Sequence, residues 1–233
     1  MPSDASALVD RRGVWVIVVA AGSGSRFGGA KQYEDLGGMR VLDHSLRTAR
    51  SVADGVVLVA APDRAADQEP DADVVVPGGA TRSDSVRAGL DAVPSDAEVV
   101  LVHDAARPLA TAALFRRVVD AVRSGADAAI PAVPVVDTLW TVDGEAVDRT
   151  GFVAVQTPQG FRAEALRAAH HGGGTATDDA TLVAATGGHV RFVDGESSNG
   201  KITTASDLVV AAARLHHRAV GAGEDPASAG LTP

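Results

Sequence analysis

The two lysines of this chain are its first candidates for chemistry. The sequence has 21 lysines and arginines in all, and only Lys31 and Lys201 are lysines. A lysine ammonium is a compact point charge, so the planar fork of an arginine cannot take its place against a phosphate. Lys31 follows a glycine-rich loop, and Lys201 begins a Lys-Ile-Thr-Thr run. We therefore expect a phosphate site assembled from both ends of the chain, against the plainer alternative of two surface lysines.

The glycine-rich loop at 20–29 fits neither of two familiar phosphate-binding patterns. A dinucleotide fingerprint needs glycine three positions after Gly24, where the chain has Phe27, and a Walker-A loop counted from Gly24 lacks the Gly-Lys-Ser/Thr ending. A glycine-rich turn at the end of a strand nevertheless exposes backbone N–H groups that bind phosphates. Arg26 and Lys31 would add positive charge at the same edge.

Asp104 and Arg107 form a second candidate cluster, directly after a predicted strand. Ligands of open α/β sheets bind at the carboxyl ends of the strands, so both side chains should face the same crevice as the glycine-rich loop. An aspartate there can hold Mg²⁺, and an arginine can bind a phosphate. Alternatively, Asp104 caps the next turn and Arg107 lies on the surface. We expect His103 to be structural.

A third cluster precedes a predicted helix. Gly79 allows close approach of a ligand to the backbone, and Arg82 and Ser85 can face that ligand. Alternatively, the cluster has only a structural role, in which Ser83 or Asp84 serves as the cap of the helix.

The elements that must position these clusters alternate along the chain. Valine-rich runs follow helical patterns, which predicts an α/β fold with a mostly parallel sheet and helices on both faces. The predicted strands are 15–20, 55–60, 73–76, 98–102, 127–130 and 189–193, and the predicted helices are 41–52, 83–93, 111–123, 163–169, 178–185 and 205–219.

The stretch from 131 to 158 interrupts this alternation. It contains three prolines, short extended segments at 138–142 and 152–155, and an Asp-Gly turn at 143–144, which together predict a hairpin arm. An arm with little apolar material of its own should pack on a second subunit. The predicted organisation is a single domain at 13–220 with a dimerisation arm at about 132–158, between disordered ends at 1–12 and 221–233.

Composition narrows the class of protein. The 233 residues are 45% hydrophobic, enough for one large α/β domain, and the formal charge of −9 argues against nucleic-acid and anionic-membrane partners. The absence of cysteine excludes disulfides, thiolate metal sites and cysteine nucleophiles. The apolar run at 14–21 could be mistaken for a signal-peptide core, but it is β-branched and followed at once by a Gly-Ser loop. We expect a cytoplasmic protein.

Several short motifs follow one another in a fixed order between about Val16 and Leu208. They are Ala20-Ala21-Gly22-x-Gly24-x-Arg26 with Lys31-Gln32, Gly79-x-x-Arg82-x-x-Ser85-Val86, His103-Asp104-Ala105-Ala106-Arg107-Pro108, Asp137-Thr138, Asp148-Arg149, Gln156-Thr157-Pro158-Gln159, Thr177-Asp178-Asp179 and Lys201-Ile202-Thr203-Thr204. In this order they resemble the 2-C-methyl-D-erythritol 4-phosphate cytidylyltransferases, which transfer CMP from CTP to a polyol phosphate in non-mevalonate isoprenoid synthesis. The related ribitol 5-phosphate cytidylyltransferases share most of these motifs.

The resemblance implies a Rossmann-like, glycosyltransferase-A-like nucleotidyltransferase fold and a homodimer with exchanged arms. It also implies CTP, a polyol phosphate and Mg²⁺ or another divalent cation as ligands. The implied nucleotide-binding residues are Ala20, Ala21, Gly22, Ser23, Gly24, Gly79, Ala80, Arg82, Ser85 and Ala105. The implied acceptor-binding residues are Asp104, Arg107, Thr177 and Lys201, with Thr138, Arg149 and Thr157 supplied by the partner's arm.

The chain departs from the family pattern in two places. Fewer residues than usual separate Arg26 from Lys31, which could alter closure of the loop. Trp140 stands where the arm usually has lysine, which leaves the ribitol 5-phosphate acceptor open as an alternative.

The expected mechanism brings two anions together. The acceptor phosphate attacks the α-phosphorus of CTP in line, so cations placed on the developing charge should be the main source of rate. We assign Lys31 and Lys201 to the α-phosphate, Arg26 to the leaving pyrophosphate and Asp104 to the metal. No general base is required, since a phosphate monoester is already a nucleophile.

Two other classes of function remain as alternatives. A non-catalytic nucleotide-binding module would need the glycine-rich loop but neither Lys201 nor the Arg149 arm. A dinucleotide-dependent oxidoreductase would need the missing third glycine and an acidic residue directly after the second strand, where the chain has Ala-Ala-Pro before Asp63.

Overall fold

A central sheet organises residues 13–221, the part of the chain that the computed structural model describes. In chain order the strands are β1 (Val14–Val19), β2 (Gly55–Ala60), β3 (Val74–Pro77), β4 (Val99–Asp104), β5 (Ala128–Pro134), β6 (Leu139–Trp140), β7 (Ala146–Val147), β8 (Val153–Val155), β9 (Gln159–Arg162) and β10 (Val190–Asp194). The helices are α1 (Val41–Val52), α2 (Arg82–Asp91), α3 (Ala112–Arg123), α4 (Ala163–His171), α5 (Asp179–Ala185) and α6 (Ala205–Gly221). Short 3₁₀ turns lie at Lys31–Tyr33, Pro62–Arg64 and Arg149–Gly151.

The large sheet has the strand order β10-β5-β9-β4-β1-β2-β3, with β8 paired to β5. The pairs β1–β2, β1–β4, β2–β3 and β5–β10 are parallel. This confirms the predicted α/β class with a mostly parallel sheet. Strand β9 was not predicted; it inserts antiparallel between β4 and β5. Its Gln-Gly-Phe-Arg sequence lacks the β-branched run that signals a strand.

Helices cover both faces of the sheet, which explains the unbroken valine runs. Val16 and Val18 of β1 pack in one apolar cluster with α1 and α3, whereas Ile17 packs in a second cluster with α2, α4 and α5. A strand buried on both faces needs apolar residues at every position rather than at alternate ones. β1 and its neighbours are therefore rigid, and the loops at their carboxyl ends start from fixed points.

The arm differs from the predicted hairpin. The segments at 138–142 and 152–155 do not pair with each other: β6 pairs with β7 across the turn at 143–144, and β8 pairs with β5 of the large sheet. The predicted turn is in place, since Gly144 has a φ of +92° that favours glycine. The arm thus consists of a two-stranded ribbon joined to the sheet through β8.

Two further predictions concern the ends of the chain. The disorder predicted for 1–12 and for 222–233 lies outside the described residues, whereas Gly221 is the last residue of α6. Within 13–221, none of the helices is both long and apolar enough to cross a membrane.

Candidate active site

The carboxyl ends of β1, β3 and β4 border a cleft of about 460 Å³. Such a position agrees with the rule that ligands of open α/β sheets bind beyond the strand ends. Of the predicted site residues, the cleft is lined by Ala20, Ala21, Gly22, Ser23, Gly24, Lys31, Gly79, Ala80, Arg82, Ser85, Asp104, Ala105 and Lys201. The two lysines, 170 positions apart in the sequence, thus share one cleft.

The glycine-rich loop is held in a tight conformation. Gly24 has a φ of +66°, and a Cβ at this position would lie 1.9 Å from the carbonyl oxygen of Gly29, so no other residue fits there without rearrangement. The buried side chain of Gln32 donates hydrogen bonds to the carbonyl oxygens of Ala20 (2.8 Å) and Gly22 (3.4 Å). Sequence analysis gave Gln32 no role, although its place in the loop motif was a signal.

Lys31 opens the 3₁₀ turn after this loop and is half-buried. Burial lowers the pKa of its ammonium below the ordinary 10.5, and the positive charges of Lys201 and Arg26 lower that pKa further. Arg26 itself is exposed on the loop and is not among the residues that line the cleft. The carboxylates of Asp104 and Asp207 oppose this shift in the pKa of Lys31 without cancelling it. Three cationic side chains and one carboxylate line the cleft, which favours an anionic ligand.

The start of α2 forms the opposite wall. Thr81 is the cap of the helix: its hydroxyl accepts a hydrogen bond from the backbone N–H of Asp84 (3.0 Å), whose carboxylate accepts one in return from the N–H of Thr81 (3.0 Å). The cap residue is therefore Thr81 and not Ser83, while the capping alternative holds in part for Asp84, whose carboxylate completes the capping box. The hydroxyl of Ser85 binds the backbone N–H of Gly79 (3.2 Å), so the wall is fixed by its own hydrogen bonds.

Asp104, at the end of β4, is the electrostatic centre of the cleft. Its carboxylate lies 2.6 Å from the ammonium of Lys201 and 3.8 Å from Nε of Arg82. Burial alone would raise the pKa of Asp104, but these cations outweigh burial and hold the pKa at about 2. The backbone carbonyl of Asp104, not its carboxylate, accepts the N–H of Arg107. The capping alternative for Asp104 is therefore wrong.

Arg82 connects this centre to a buried carboxylate that sequence analysis missed. Its guanidinium donates a hydrogen bond of 2.7 Å to Asp179, whose side chain is fully buried. The other oxygen of Asp179 lies 3.1 Å from Nε2 of His170, which is 3% exposed. The available signal was the Thr-Asp-Asp run ending at Asp179, of which only Thr177 received a role.

Thr157 lies beside Asp104 of the same chain, whereas the resemblance implied that it serves a partner's site. Its hydroxyl accepts a hydrogen bond from the backbone N–H of Asp104 (3.0 Å) and contacts Nδ1 of His103 (3.2 Å). The Thr157 residue is 5% exposed, so its side chain is enclosed by its own chain. His103 is fully buried, and burial lowers its pKa to about 4, so the ring is neutral at physiological pH.

Arg107 and Thr177 lie outside the residues that line the cleft. The guanidinium of Arg107 donates to the carbonyl oxygens of Asn199 (2.8 Å) and Val155 (3.4 Å), so two of its nitrogens bind main chain. Thr177 is exposed in the segment just before α5. The cleft as it stands therefore brings neither residue into the set that surrounds Asp104 and the two lysines.

Thr138 and Arg149 are exposed on the arm, and neither lines the cleft of its own chain. A guanidinium nitrogen of Arg149 donates to the carbonyl oxygen of Val136 within the arm. Within one chain, neither Thr138 nor Arg149 can therefore contact a ligand that is bound in the cleft.

The residues of the cleft fit a divalent cation that is held mainly by its substrate. Within 13–221 no group of three or more His, Cys, Asp and Glu side chains could hold a metal ion, and Asp104 is the only carboxylate among the residues lining the cleft. Mg²⁺ is commonly bound by one or two carboxylates together with substrate phosphates. Asp104 can supply one such ligand if its contact with Lys201 opens.

The geometry suits a ligand with several phosphates and a substitution at one of its phosphorus atoms. Small residues at 21–24 offer backbone N–H groups, while Lys31, Lys201 and Arg82 place positive charge around one carboxylate. Backbone donors and fixed cations are the devices by which proteins stabilise charge during phosphoryl transfer.

Comparison with known proteins agrees with this chemistry. Residues 14–217 match the family model for 2-C-methyl-D-erythritol 4-phosphate cytidylyltransferase. The 2-C-methyl-D-erythritol 4-phosphate cytidylyltransferase of Rhodococcus jostii is 45% identical over 226 residues, covering 91% of this chain and 100% of the relative. The crystal structure of the enzyme of that name from Thermus thermophilus has a TM-score of 0.76 and 39% identity, covering 87% of this chain and 98% of that one.

A longer relative also matches. The bifunctional enzyme IspD/IspF of Nitratidesulfovibrio vulgaris strain DP4 is 44% identical over 223 residues, which cover 84% of this chain but 56% of the relative. This chain therefore spans only about half the length of some curated relatives. Since the family model covers most of the chain and full-length relatives exceed 40% identity, the resemblance found in the sequence is confirmed, and the chain belongs to the 2-C-methyl-D-erythritol 4-phosphate cytidylyltransferase family of nucleotidyltransferases.

Proposed function

We propose that the cleft transfers CMP from CTP to the phosphate of 2-C-methyl-D-erythritol 4-phosphate and releases pyrophosphate. The observation that carries this proposal is the meeting of Lys31 and Lys201 beside the glycine-rich loop at the carboxyl end of β1. Family membership supports the same chemistry. A module that only bound nucleotides would have no need of a lysine brought from the far end of the chain.

The protein's part in this reaction is electrostatic and positional. The acceptor phosphate is itself the nucleophile, and it attacks the α-phosphorus of CTP opposite the bond to the β-phosphate. Lys31 and Lys201 act on the α-phosphate as negative charge develops there, and Arg26 folds over the leaving pyrophosphate from its exposed place on the loop. Holding the two anions in line accelerates the reaction further, because the reacting groups are already positioned and need not meet by collision.

Mg²⁺ would arrive on the phosphates of CTP, where it neutralises charge. Asp104 would hold it from the protein side, as the one carboxylate lining the described cleft. Release of Lys201 from Asp104 frees the lysine for the α-phosphate in the same movement. The ion pair of the free enzyme thus keeps Lys201 and Asp104 close to the positions in which they act.

The arm belongs to a homodimer in this proposal. Apolar side chains of the arm are strongly exposed in the single chain, with Trp140 at 64% and Val142 fully exposed. A second copy would bury this surface and receive Thr138 and Arg149 at the mouth of its cleft, beside its own Arg107. Each acceptor phosphate would then be held by both subunits.

The deciding experiment measures pyrophosphate release from CTP with two acceptors offered in parallel. Methylerythritol phosphate should support turnover with Mg²⁺ present, and ribitol 5-phosphate should react at least about tenfold more slowly in kcat/KM. Faster reaction with ribitol phosphate would transfer the proposal to that acceptor and implicate Trp140 in the change. Absence of release with either acceptor would overturn it.

A further inference from the structure

Two buried amides join the arm to the segment that carries Lys201. Asn199 is the only asparagine of the sequence, lies two positions before Lys201 and is completely buried. Its amide nitrogen donates to the carbonyl oxygen of Thr157 (2.9 Å) and to Oε1 of Gln156 (3.3 Å). We call the side chains of Gln156 and Asn199 the amide clamp.

Gln156 completes the clamp with its main-chain contacts. Its side chain is bound at both ends to residue 196, since Oε1 accepts from the N–H of Glu196 (3.0 Å) and Nε2 donates to the carbonyl oxygen of Glu196 (2.8 Å). A side-chain amide here makes the same pair of N–H and C=O hydrogen bonds to residue 196 that a neighbouring β-strand would make through its backbone. Gln156 follows β8 directly, so the segment at 196–199 is attached to the place where the arm enters the sheet.

Thr157, the residue after Gln156, binds Asp104, which is the ion-pair partner of Lys201. Its hydroxyl accepts the backbone N–H of Asp104, while the clamp fixes the chain just before Lys201. On the far side, the N–H of Ile202 binds the carbonyl oxygen of Ala106 (2.8 Å). Lys201 is therefore held between two tethers, and adjacent residues of the arm junction determine the positions of both charged partners.

We propose that Gln156 and Asn199 are positioning residues that keep Lys201 in contact with Asp104, ready to act on the α-phosphate. The catalytic part of this statement rests on the proposed function. Lys201 lies on a segment without regular structure and its side chain is 40% exposed, so its long aliphatic stem does not fix the ammonium. Loss of the Asn199 amide would remove the donor to the carbonyl oxygen of buried Thr157, and loss of the Gln156 amide would remove both contacts with residue 196, so the segment would shift to make new hydrogen bonds.

Competitive acetylation of the full chain tests the clamp without relying on activity. The sequence has only two lysines, so the rate at each can be followed by mass spectrometry. An added lysine peptide is the reference, because the charge of Lys201 also affects the pKa of Lys31. An ammonium held by Asp104 must leave that contact and give up a proton to solvent before its nitrogen, as the neutral amine, can attack an acetylating reagent. In Asn199→Ala the ratio of the Lys201 rate to the rate of the reference peptide should rise at least about fivefold, as expected for one lost hydrogen bond.

Gln156→Met is the second variant, because it keeps the length of the side chain and removes both contacts with residue 196. Gln159→Met is its matched control: Gln159 is equally buried, but its amide donates to Asp178 rather than to the 196–199 segment. The ratio should rise in Gln156→Met and stay within about twofold in the control. If Asn199→Ala fails to fold, the comparison of the two glutamine variants decides alone.

Activity measurements separate this inference from the proposed function. In Asn199→Ala, kcat should fall at least about fivefold, and in a Lys201→Ala background the same substitution should cost almost nothing, since the lysine through which it acts is gone. An unchanged acetylation ratio in both clamp variants would overturn the clamp even if the wild type transfers CMP. A raised ratio in an enzyme that releases no pyrophosphate would uphold the clamp and reject the proposed reaction.

Discussion

The ammonium of Lys201 lies 2.6 Å from a carboxylate oxygen of Asp104, although 97 positions separate the two residues in the sequence. Asp104 ends a buried strand and is rigid, whereas Lys201 lies on a segment outside the helices and strands. The contact joins the two halves of the cleft and neutralises Lys201 while no anion is bound. A ligand with several negative charges would compete for both partners.

The first prediction concerns the two lysines. Lys31→Arg and Lys201→Arg should each lower kcat by at least about tenfold, or about 1.4 kcal/mol of barrier, because the guanidinium cannot place its charge where the ammonium does. Steady-state pyrophosphate release measures the effect. Near-normal kcat in both variants would show that the lysines only bind.

The second prediction concerns stability in acid. Because the folded state holds the pKa of Asp104 at about 2, below its ordinary 3.8, this carboxylate stabilises the fold above about pH 4. The stabilisation should disappear as pH falls from about 4 to about 2, and amounts to about 2 kcal/mol. Urea unfolding between pH 5 and pH 2, at roughly half-unit steps, measures it.

Asp104→Asn provides the comparison that isolates this group from other carboxylates. The variant should be less stable than the wild type at pH 7, since Lys201 and Arg82 lose their shared carboxylate, and the difference should shrink toward pH 2. A constant difference across that interval would mean that the ion pair contributes nothing to folding.

The third prediction concerns alkaline pH. Burial and the neighbouring cations lower the pKa of Lys31 below 10.5, so its charge is lost at a lower pH than that of an ordinary lysine. The alkaline limb of kcat/KM, which reports the free enzyme, should therefore begin below that value. In Lys31→Arg the guanidinium stays charged over this pH range, so the alkaline limb of the residual activity should move to higher pH. If the limb stays in place, it must be assigned to another group.

The fourth prediction concerns the sharing of sites between subunits. Homodimers of Lys31→Ala and of Arg149→Ala should both be nearly inactive, but in a mixed dimer one site receives intact Lys31 from one chain and intact Arg149 from the other. Random reassortment makes half of the dimers mixed, each with one working site, so activity should return to roughly a quarter of wild type. Failure to recover despite demonstrated exchange of subunits would place Arg149 in its own subunit's site.

Thr157 supplies the matched control for that experiment. Since its hydroxyl binds the backbone of Asp104 within one chain, a mixed dimer of Lys31→Ala and Thr157→Val carries a defect in each of its two sites. Activity should then stay at the level of the two parent variants. Recovery with this pair would mean that Thr157 acts across the interface.

The local sequence pattern determined the helices, the strands and the residues that border the cleft. Helix α1 (Val41–Val52) and strand β2 (Gly55–Ala60) have the bounds that their residue patterns predict. Amphipathic periodicity and fully apolar runs are properties of neighbouring residues, and they survive folding because each helix must bury one face and each central strand both. For the same reason, motifs at the ends of parallel strands could be assigned to one edge of the sheet.

Contacts between distant segments were decided only by the tertiary structure. The insertion of β9, the attachment of the arm through β8, the place of Thr157 against its own Asp104 and the burial of Asp179 and Asn199 all depend on which strands lie side by side. Strand order leaves no periodicity in the sequence, because it is selected by the packing of the whole sheet and by hydrogen bonds that each buried polar group must find. The chain therefore specified its charged groups locally, and the fold alone determined which of them meet.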